Sequence, residues 1–135
     1  MVLDASMAIA WLFKDEQSPA VMEIMNRAAV DGVIVPALWR LEIASVLRTA
    51  VRRQRCDQAF AETGLRRLAK LPIELDLETD AHAWGRTRAL SQEEGLTPYD
   101  AAYLELALRL SRPLASNDGD LIAAARRRGV EVLVV

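Results

Sequence analysis

One cysteine, Cys56, stands alone in the chain, so no internal disulfide can form. A reducing cytoplasm is the simplest setting for such a composition. His82 is equally solitary. Without a second histidine or a sulfur cluster the chain offers zinc no ligand set, and no Ser-His-Asp arrangement suggests itself. No apolar run approaches the roughly 20 residues of a membrane-spanning helix. The first residues show no basic region followed by an apolar stretch and a small-residue cleavage site, so no secretory leader is expected. A phosphate loop of the G-x-x-x-x-G-K type and a dinucleotide-binding G-x-G-x-x-G are both missing. Aromatic residues are scarce, at 5%. Trp11, Trp39 and Trp84 are expected in the core or an interface rather than as platforms for stacked bases.

What remains is ample apolar material. Hydrophobic residues make up 52% of 135 residues, enough for one proper core, and residues 1–135 read as a single domain. The formal charge of −2 is not that of a protein gripping nucleic acid with its whole surface. Setting four carboxylates aside in one site, however, leaves the rest at +2. The positive charge is bunched, at Arg48, Arg52, Arg53, Arg55, Arg66, Arg67 and Lys70 in mid-chain and at Arg126, Arg127 and Arg128 near the end. Most of these are expected on solvated helix faces.

The pattern alternates short apolar strands with helices. Met1–Leu3 reads as a strand ending at Asp4, and 5–13 as a short helix. Ser18-Pro19 is an N-cap followed by proline in the first helical position, and Gly32 suits the end of that helix. Val33–Val35 is a second strand, stopped by Pro36. A helix is predicted over about 37–53, with Leu38, Leu41, Val46 and Leu47 as its apolar stripe. Another is predicted over 57–70. Residues 71–75 form a strand that Pro72 assigns to an edge. One helix over 79–94 ends at Gly95, and Pro98 opens the next, to about Leu110. Strands at 112–115 and 130–135 flank a last helix capped by Ser116 or Asn117. Strands that do not alternate, separated by helices, indicate a three-layer α/β/α fold around a parallel sheet. No repeat, low-complexity segment or linker interrupts it.

The acidic residues fall on this map with a bias. Asp4 is where the first strand meets its helix, and Asp118 occupies the equivalent junction after Leu114-Ala115. Glu42 and Asp100 lie in the first turns of their helices. In an open parallel sheet the C-terminal strand ends and the N-terminal helix ends share one edge, where ligands bind. Each acid has an ordinary explanation. Asp4 can cap a helix. Asp100, three residues after Thr97, completes something like a capping box. Asp118 and Asp120 complement a helix dipole. Glu42 fits worst, because it lies between Leu41 and Ile43 in a stretch apolar enough to be largely buried. Close carboxylates raise one another's pKa unless a cation intervenes. Oxygen-only ligands suit Mg²⁺ or Mn²⁺. Such ions, alone or paired roughly 3.5–4 Å apart, support phosphodiester cleavage.

The ordered motifs V-L-D-A-S at Val2–Ser6, V-P-A-L-W-R-L-E at Val35–Glu42, G-L-T-P-Y-D-A-A-Y at Gly95–Tyr103 and L-A-S-N-D at Leu114–Asp118 resemble the PIN domain, and within it the VapC-type toxins of bacterial toxin–antitoxin pairs. The resemblance spans Met1 to about Val132. It implies about five parallel strands between helical layers and a Mg²⁺- or Mn²⁺-dependent endoribonuclease. It further implies a homodimer and an antitoxin partner that covers the acidic groove. Carried over by position, the metal-binding and catalytic acids are Asp4, Glu42, Asp100 and Asp118. Ser6 and Ser116 match positions where a hydroxyl supports the site. Asn117 occupies a variable position, and Asp120 is a weaker candidate. Two other functions stand beside this one. A non-catalytic module of the same fold would bind RNA or a partner protein. A phosphoacceptor receiver domain would want an acidic pair before its first helix and a lysine after a late strand. Here Asp4 stands alone and Lys70 is the last lysine.

Overall fold

The computed structural model describes residues 1–133, and only the last two residues of the strand expected over 130–135 lie outside the described part. Five parallel strands form one sheet: β1 (Val2–Leu3), β2 (Val33–Val35), β3 (Ile73–Leu75), β4 (Leu114–Ala115) and β5 (Val132–Leu133), in the order β3-β2-β1-β4-β5. Val2 is in register with both Ile34 and Leu114. The chain reverses its direction of travel across the sheet at β1, so the crevice between the C-terminal ends of β1 and β4 is the topological switch point. Pro72 precedes the edge strand β3, where its missing N–H costs no ladder bond.

Among the described residues, eight helices cover the two faces in a three-layer α/β/α arrangement. They are α1 (Ala5–Leu12), α2 (Pro19–Asp31), α3 (Trp39–Arg52), α4 (Gln58–Ala69), α5 (Thr79–His82), α6 (Arg86–Glu94), α7 (Pro98–Leu110) and α8 (Gly119–Arg127). Their starts follow cap chemistry. Ser18 Oγ accepts the Val21 N–H at 3.1 Å, Asp57 Oδ1 the Phe60 N–H at 2.8 Å, and Thr97 Oγ1 the Asp100 N–H at 3.2 Å. Gly32 ends α2 at φ +78, and a Cβ there would come within 3.2 Å of the Pro72 carbonyl. Only glycine meets both demands.

Two local expectations are corrected. The helix expected over 79–94 is two helices, parted by a turn at Ala83–Gly85. Gly85 there adopts φ −100, ψ −106, outside the helical region, and Trp84 is left exposed. The stripe of α3 is also rotated from the expected one. Trp39, Ile43, Leu47 and Ala50 face the core, whereas Leu41 is 76% exposed and Val46 41%. Spacing of 4, 4 and 3 is the helical period, but Leu38, Leu41, Val46 and Leu47 do not share one face.

Helix α7 is buried on every side from Ala101 to Ala107. It packs along α6 and reaches β1, β4 and α8. Two of its buried residues, Tyr103 and Glu105, carry polar groups that must find partners inside the protein. Glu105 finds Arg109 one turn on, at 2.7 Å. Arg109 also holds Asp76 at 2.7 Å, and Thr79 Oγ1 donates to the same carboxylate at 2.9 Å. Burial alone would push Asp76 up, but Arg109, Thr79 and the Glu78 N–H hold its carboxyl below the usual range. His82, on α5, lies beside this cluster with Nδ1 3.7 Å from Glu105.

Candidate active site

Asp4 follows β1 directly, and its N–H donates to the Ala115 carbonyl of β4 at 2.9 Å. It thereby stands at the switch point. Although it occupies the N-cap position of α1, its side chain makes no capping bond. Oδ2 instead accepts from Ser6 Oγ at 2.6 Å and from Ser116 Oγ at 2.8 Å. Each hydroxyl has one proton, and both protons go to Asp4. The two oxygens in turn accept backbone N–H groups, Ser6 from Asn117 and Ser116 from Asp118, both at 3.0 Å. The α1 start and the β4–α8 junction are thus laced together around one buried carboxylate. Asn117 contributes through its backbone.

Tyr103 finds its partner here too. Its hydroxyl donates to Glu42 Oε1 across 61 positions of sequence. Glu42 is half-buried at the first turn of α3, between exposed Leu41 and buried Ile43. Asp100 opens α7, and its cap runs through its N–H rather than its carboxylate. Asp118 is the N-cap of α8, with Oδ1 accepting the Leu121 N–H at 3.0 Å. The capping explanation therefore holds for one oxygen of Asp118 and fails for Asp4. Among the described residues, Asp118 Oδ2 and Glu42 Oε2 have no hydrogen-bond partner, and neither hydroxyl engages Asp4 Oδ1.

The four acids feel one another. Burial raises the Asp4 carboxyl most, the Ser6 and Ser116 hydroxyls oppose that, and Asp118 raises it further. Burial likewise raises Asp100, and the charges of Asp118, Asp4 and the exposed Asp120 add to it. Glu42 is pushed up to about 7, chiefly by burial, with Tyr103 opposing and Asp4 and Asp100 adding. Burial and the nearby Asp4 and Glu42 charges push the Tyr103 phenol well above its usual value, so it stays a donor. No Lys or Arg forms an ion pair with any of the four acids among the described residues. Asp76 gives the contrast. It too follows a strand, β3, but Arg109 claims it.

A stability consequence follows from Glu42. A carboxyl whose folded value is about 7 rather than the ordinary 4.5 binds its proton more tightly in the folded state. Its contribution to stability is present below about 4.5 and is lost as pH rises through 7. Glu42→Gln is therefore expected to raise the melting temperature of the cation-free protein at pH 8 and to change it much less at pH 4. Thermal unfolding at both pH values checks this. An equal effect at both would sink the electrostatic explanation.

As the side chains are turned, no three His, Cys, Asp or Glu among the described residues already enclose an ion position. The donor chemistry nonetheless fits a hard divalent cation. It is oxygen only, it is crowded with like charge, and it holds carboxylate oxygens that no donor among the described residues engages.

A doubly wound parallel sheet whose switch-point crevice gathers carboxylates from two strand ends and two helix starts defines a class of α/β protein with an acidic ligand edge. The chain belongs to the PIN domain family, whose model matches residues 1–127. Proteins of this family are usually nucleases. The crystal structure of PAE2754 from Pyrobaculum aerophilum is similar at a TM-score of 0.71 and 22% identity, over 98% of this chain and 89% of that one. At that identity the likeness speaks for the fold. No curated protein matches the chain significantly.

Of the residues expected from sequence, Asp4, Ser6, Ser116 and the backbone of Asn117 meet directly through hydrogen bonds, and Glu42, Asp100 and Asp118 surround them electrostatically. Asp120 is exposed and reaches the group only through its field. Trp39 is core, Trp11 lies under the Arg67 guanidinium, and Trp84 is exposed. Sequence reasoning missed Tyr103. The available signal was its spacing, three residues after Asp100 on the same face of α7, in a helix otherwise too apolar to satisfy a phenol.

Proposed function

We propose that the chain is a Mg²⁺- or Mn²⁺-dependent endoribonuclease acting as the toxin of a two-protein toxin–antitoxin pair, with Asp4, Glu42, Asp100 and Asp118 as its catalytic and metal-holding residues. One observation carries the reading. Four carboxylates from four separate elements crowd the switch point with no ion-paired Lys or Arg among the described residues, although the same chain neutralises Asp76 with Arg109. Unopposed like charge of this kind costs stability, and a cation site explains why it is kept.

The chain's own residues hold the acids in place. Ser6 and Ser116 fix the Asp4 carboxylate by donating both protons to Oδ2. Tyr103 occupies Glu42 Oε1, and the start of α8 occupies Asp118 Oδ1, which orients each remaining oxygen. A divalent cation, when bound, supplies charge neutralisation for the phosphodiester and acidity for an attacking water. The reading extends to a soluble cytoplasmic homodimer in one domain, whose cognate antitoxin silences it by covering the acidic crevice. No helix among the described residues is long and apolar enough to cross a membrane.

The test is direct. The purified chain, freed of any co-purifying protein, should cut labelled single-stranded RNA with Mg²⁺ or Mn²⁺ and lose that activity in EDTA. Calorimetry should show Mn²⁺ binding that Asp4→Asn weakens. Neither cleavage nor Mn²⁺ binding would favour a non-catalytic interaction module instead. Growth arrest on expressing the chain alone, relieved by a small neighbouring reading frame, is the expected toxin behaviour.

A further inference from the structure

An open bay of about 380 Å³ adjoins the acidic crevice, lined by Leu38, Leu41, Glu42, Ser45, Val46 and Tyr99. Glu42 is a wall of both. Tyr99 immediately precedes Asp100 and is 61% exposed, and Leu41 is more exposed still. Large apolar surface held open beside a charged site, on a chain with few aromatics, needs an explanation. Among the described residues lining the bay, Glu42 alone carries a formal charge. An anionic group would be repelled there, whereas a neutral ring with an aromatic face is accepted.

The same face of α3 continues outward. Leu41, Ser45, Arg48 and Arg52 follow one another at spacings of 4, 3 and 4, which keeps them in one stripe, and all four are exposed. Arg48 and Arg52 form no ion pair among the described residues. They lie about 9 Å and about 15 Å beyond Glu42 along the helix axis, at 1.5 Å per residue. Their positive charge is complementary to phosphates, and it begins where the apolar bay ends.

Building on the nuclease reading above, we propose that this bay is a nucleobase subsite, in which the base next to the scissile phosphate of single-stranded RNA stacks on Tyr99, and that Arg48 and Arg52 carry the following phosphates along α3. Stacking on an aromatic ring is tolerant of sequence, because every base has a π face. The Ser45 and Tyr99 hydroxyls are the uncharged side-chain polar groups lining the bay. Selectivity at this position is accordingly weak, and grip comes from the ring and the two guanidinium groups.

Binding can be measured apart from cleavage, by fluorescence anisotropy in EDTA with a labelled oligouridylate and with the same strand made abasic. Tyr99→Ala should weaken binding of the intact strand by roughly 5- to 150-fold, the range for removing one aromatic–base stack. Tyr99→Phe should bind like the wild type. The wild type should hold the abasic strand no better than Tyr99→Ala holds the intact one. Arg48→Ala and Arg52→Ala should each reduce the slope of log affinity against log salt by about 0.7, the value for one phosphate contact on a single strand. Because Tyr99, Arg48 and Arg52 are exposed, these variants should fold normally, which their melting temperatures check. If the bay instead receives a partner protein, RNA affinity will be indifferent to Tyr99→Ala and to loss of the bases, and that result overturns the subsite. An unchanged salt slope in both arginine variants overturns the phosphate track. Either failure with Mg²⁺-dependent cleavage intact leaves the nuclease reading standing. A wild type that never cuts RNA sinks the nuclease reading itself.

Discussion

Asp100→Asn should abolish RNA cleavage in Mg²⁺ while leaving the protein folded and no less stable. The cap of α7 uses the Asp100 N–H, which asparagine keeps. The carboxylate itself is disfavoured where it stands, by burial and by the charges of Asp118 and Asp4. Removing that charge relieves repulsion in the cation-free protein, so the melting temperature should hold or rise. With cation present the effect should reverse, because the proposed metal site has lost one negative oxygen donor. Losing a partner that merely supports a metal ligand costs roughly 10- to 100-fold in metal affinity or activity. Losing a ligand should exceed that. The measurements are a cleavage time course and a melting curve with and without Mn²⁺. Wild-type cleavage by a cleanly purified Asp100→Asn variant would falsify the proposed mechanism. A collapse of the melting temperature would instead make Asp100 structural.

Arg109→Ala is expected to cause the largest loss of stability. Arg109 is the cation shared by Asp76 and Glu105, which are 6% and 4% exposed, and it also meets Glu78 at 3.3 Å. Removing one partner of a buried pair strands the other charge, at about 3–5 kcal/mol. That is a large share of the roughly 5–15 kcal/mol that holds a typical domain together. The melting temperature should fall by on the order of 10 °C or more. The sign of the pH dependence is also fixed. Asp76 is held below its usual range, so its contribution is present above the ordinary carboxyl value of 3.8 and disappears as pH falls through its folded value. The deficit of Arg109→Ala should therefore shrink in acid. A deficit independent of pH would point to lost packing of the arginine stem rather than to the ion cluster. Cleavage should survive at temperatures where the variant is folded, since Arg109 touches none of the four acids of the crevice.

These two experiments separate acids of different kinds that sequence alone presents alike. Asp76 and Asp4 both directly follow strands, and both lie at the same edge of the sheet. One is neutralised and the other is not. The difference lies in α7, whose C-terminal turn brings Arg109 to Asp76 and whose first turns bring Asp100 and Tyr103 towards the crevice. Pairings of this sort span 33, 61 and 112 positions of sequence. No local pattern encodes them.

The order of elements was readable without the structure. Short apolar runs, N-cap residues and prolines are local signals, and they marked β2 to the residue and α2 and α7 nearly so. The position of Asp4, Glu42, Asp100 and Asp118 at strand ends and helix starts was readable as well, because a parallel sheet puts those termini on one edge whatever its side chains do. Local signals failed where helices are apolar on more than one face. In α3 several choices of stripe have similar hydrophobicity, and only packing against the sheet selected Trp39, Ile43, Leu47 and Ala50 and turned Leu41 to solvent. The same rotation left Glu42 half-buried, within reach of Tyr103. By itself the sequence determined the fold and the edge on which the acids lie. The tertiary structure decided which acids stay unpaired, which hydroxyls orient them and which apolar side chains lie open beside them, since those outcomes depend on contacts between elements far apart in the chain.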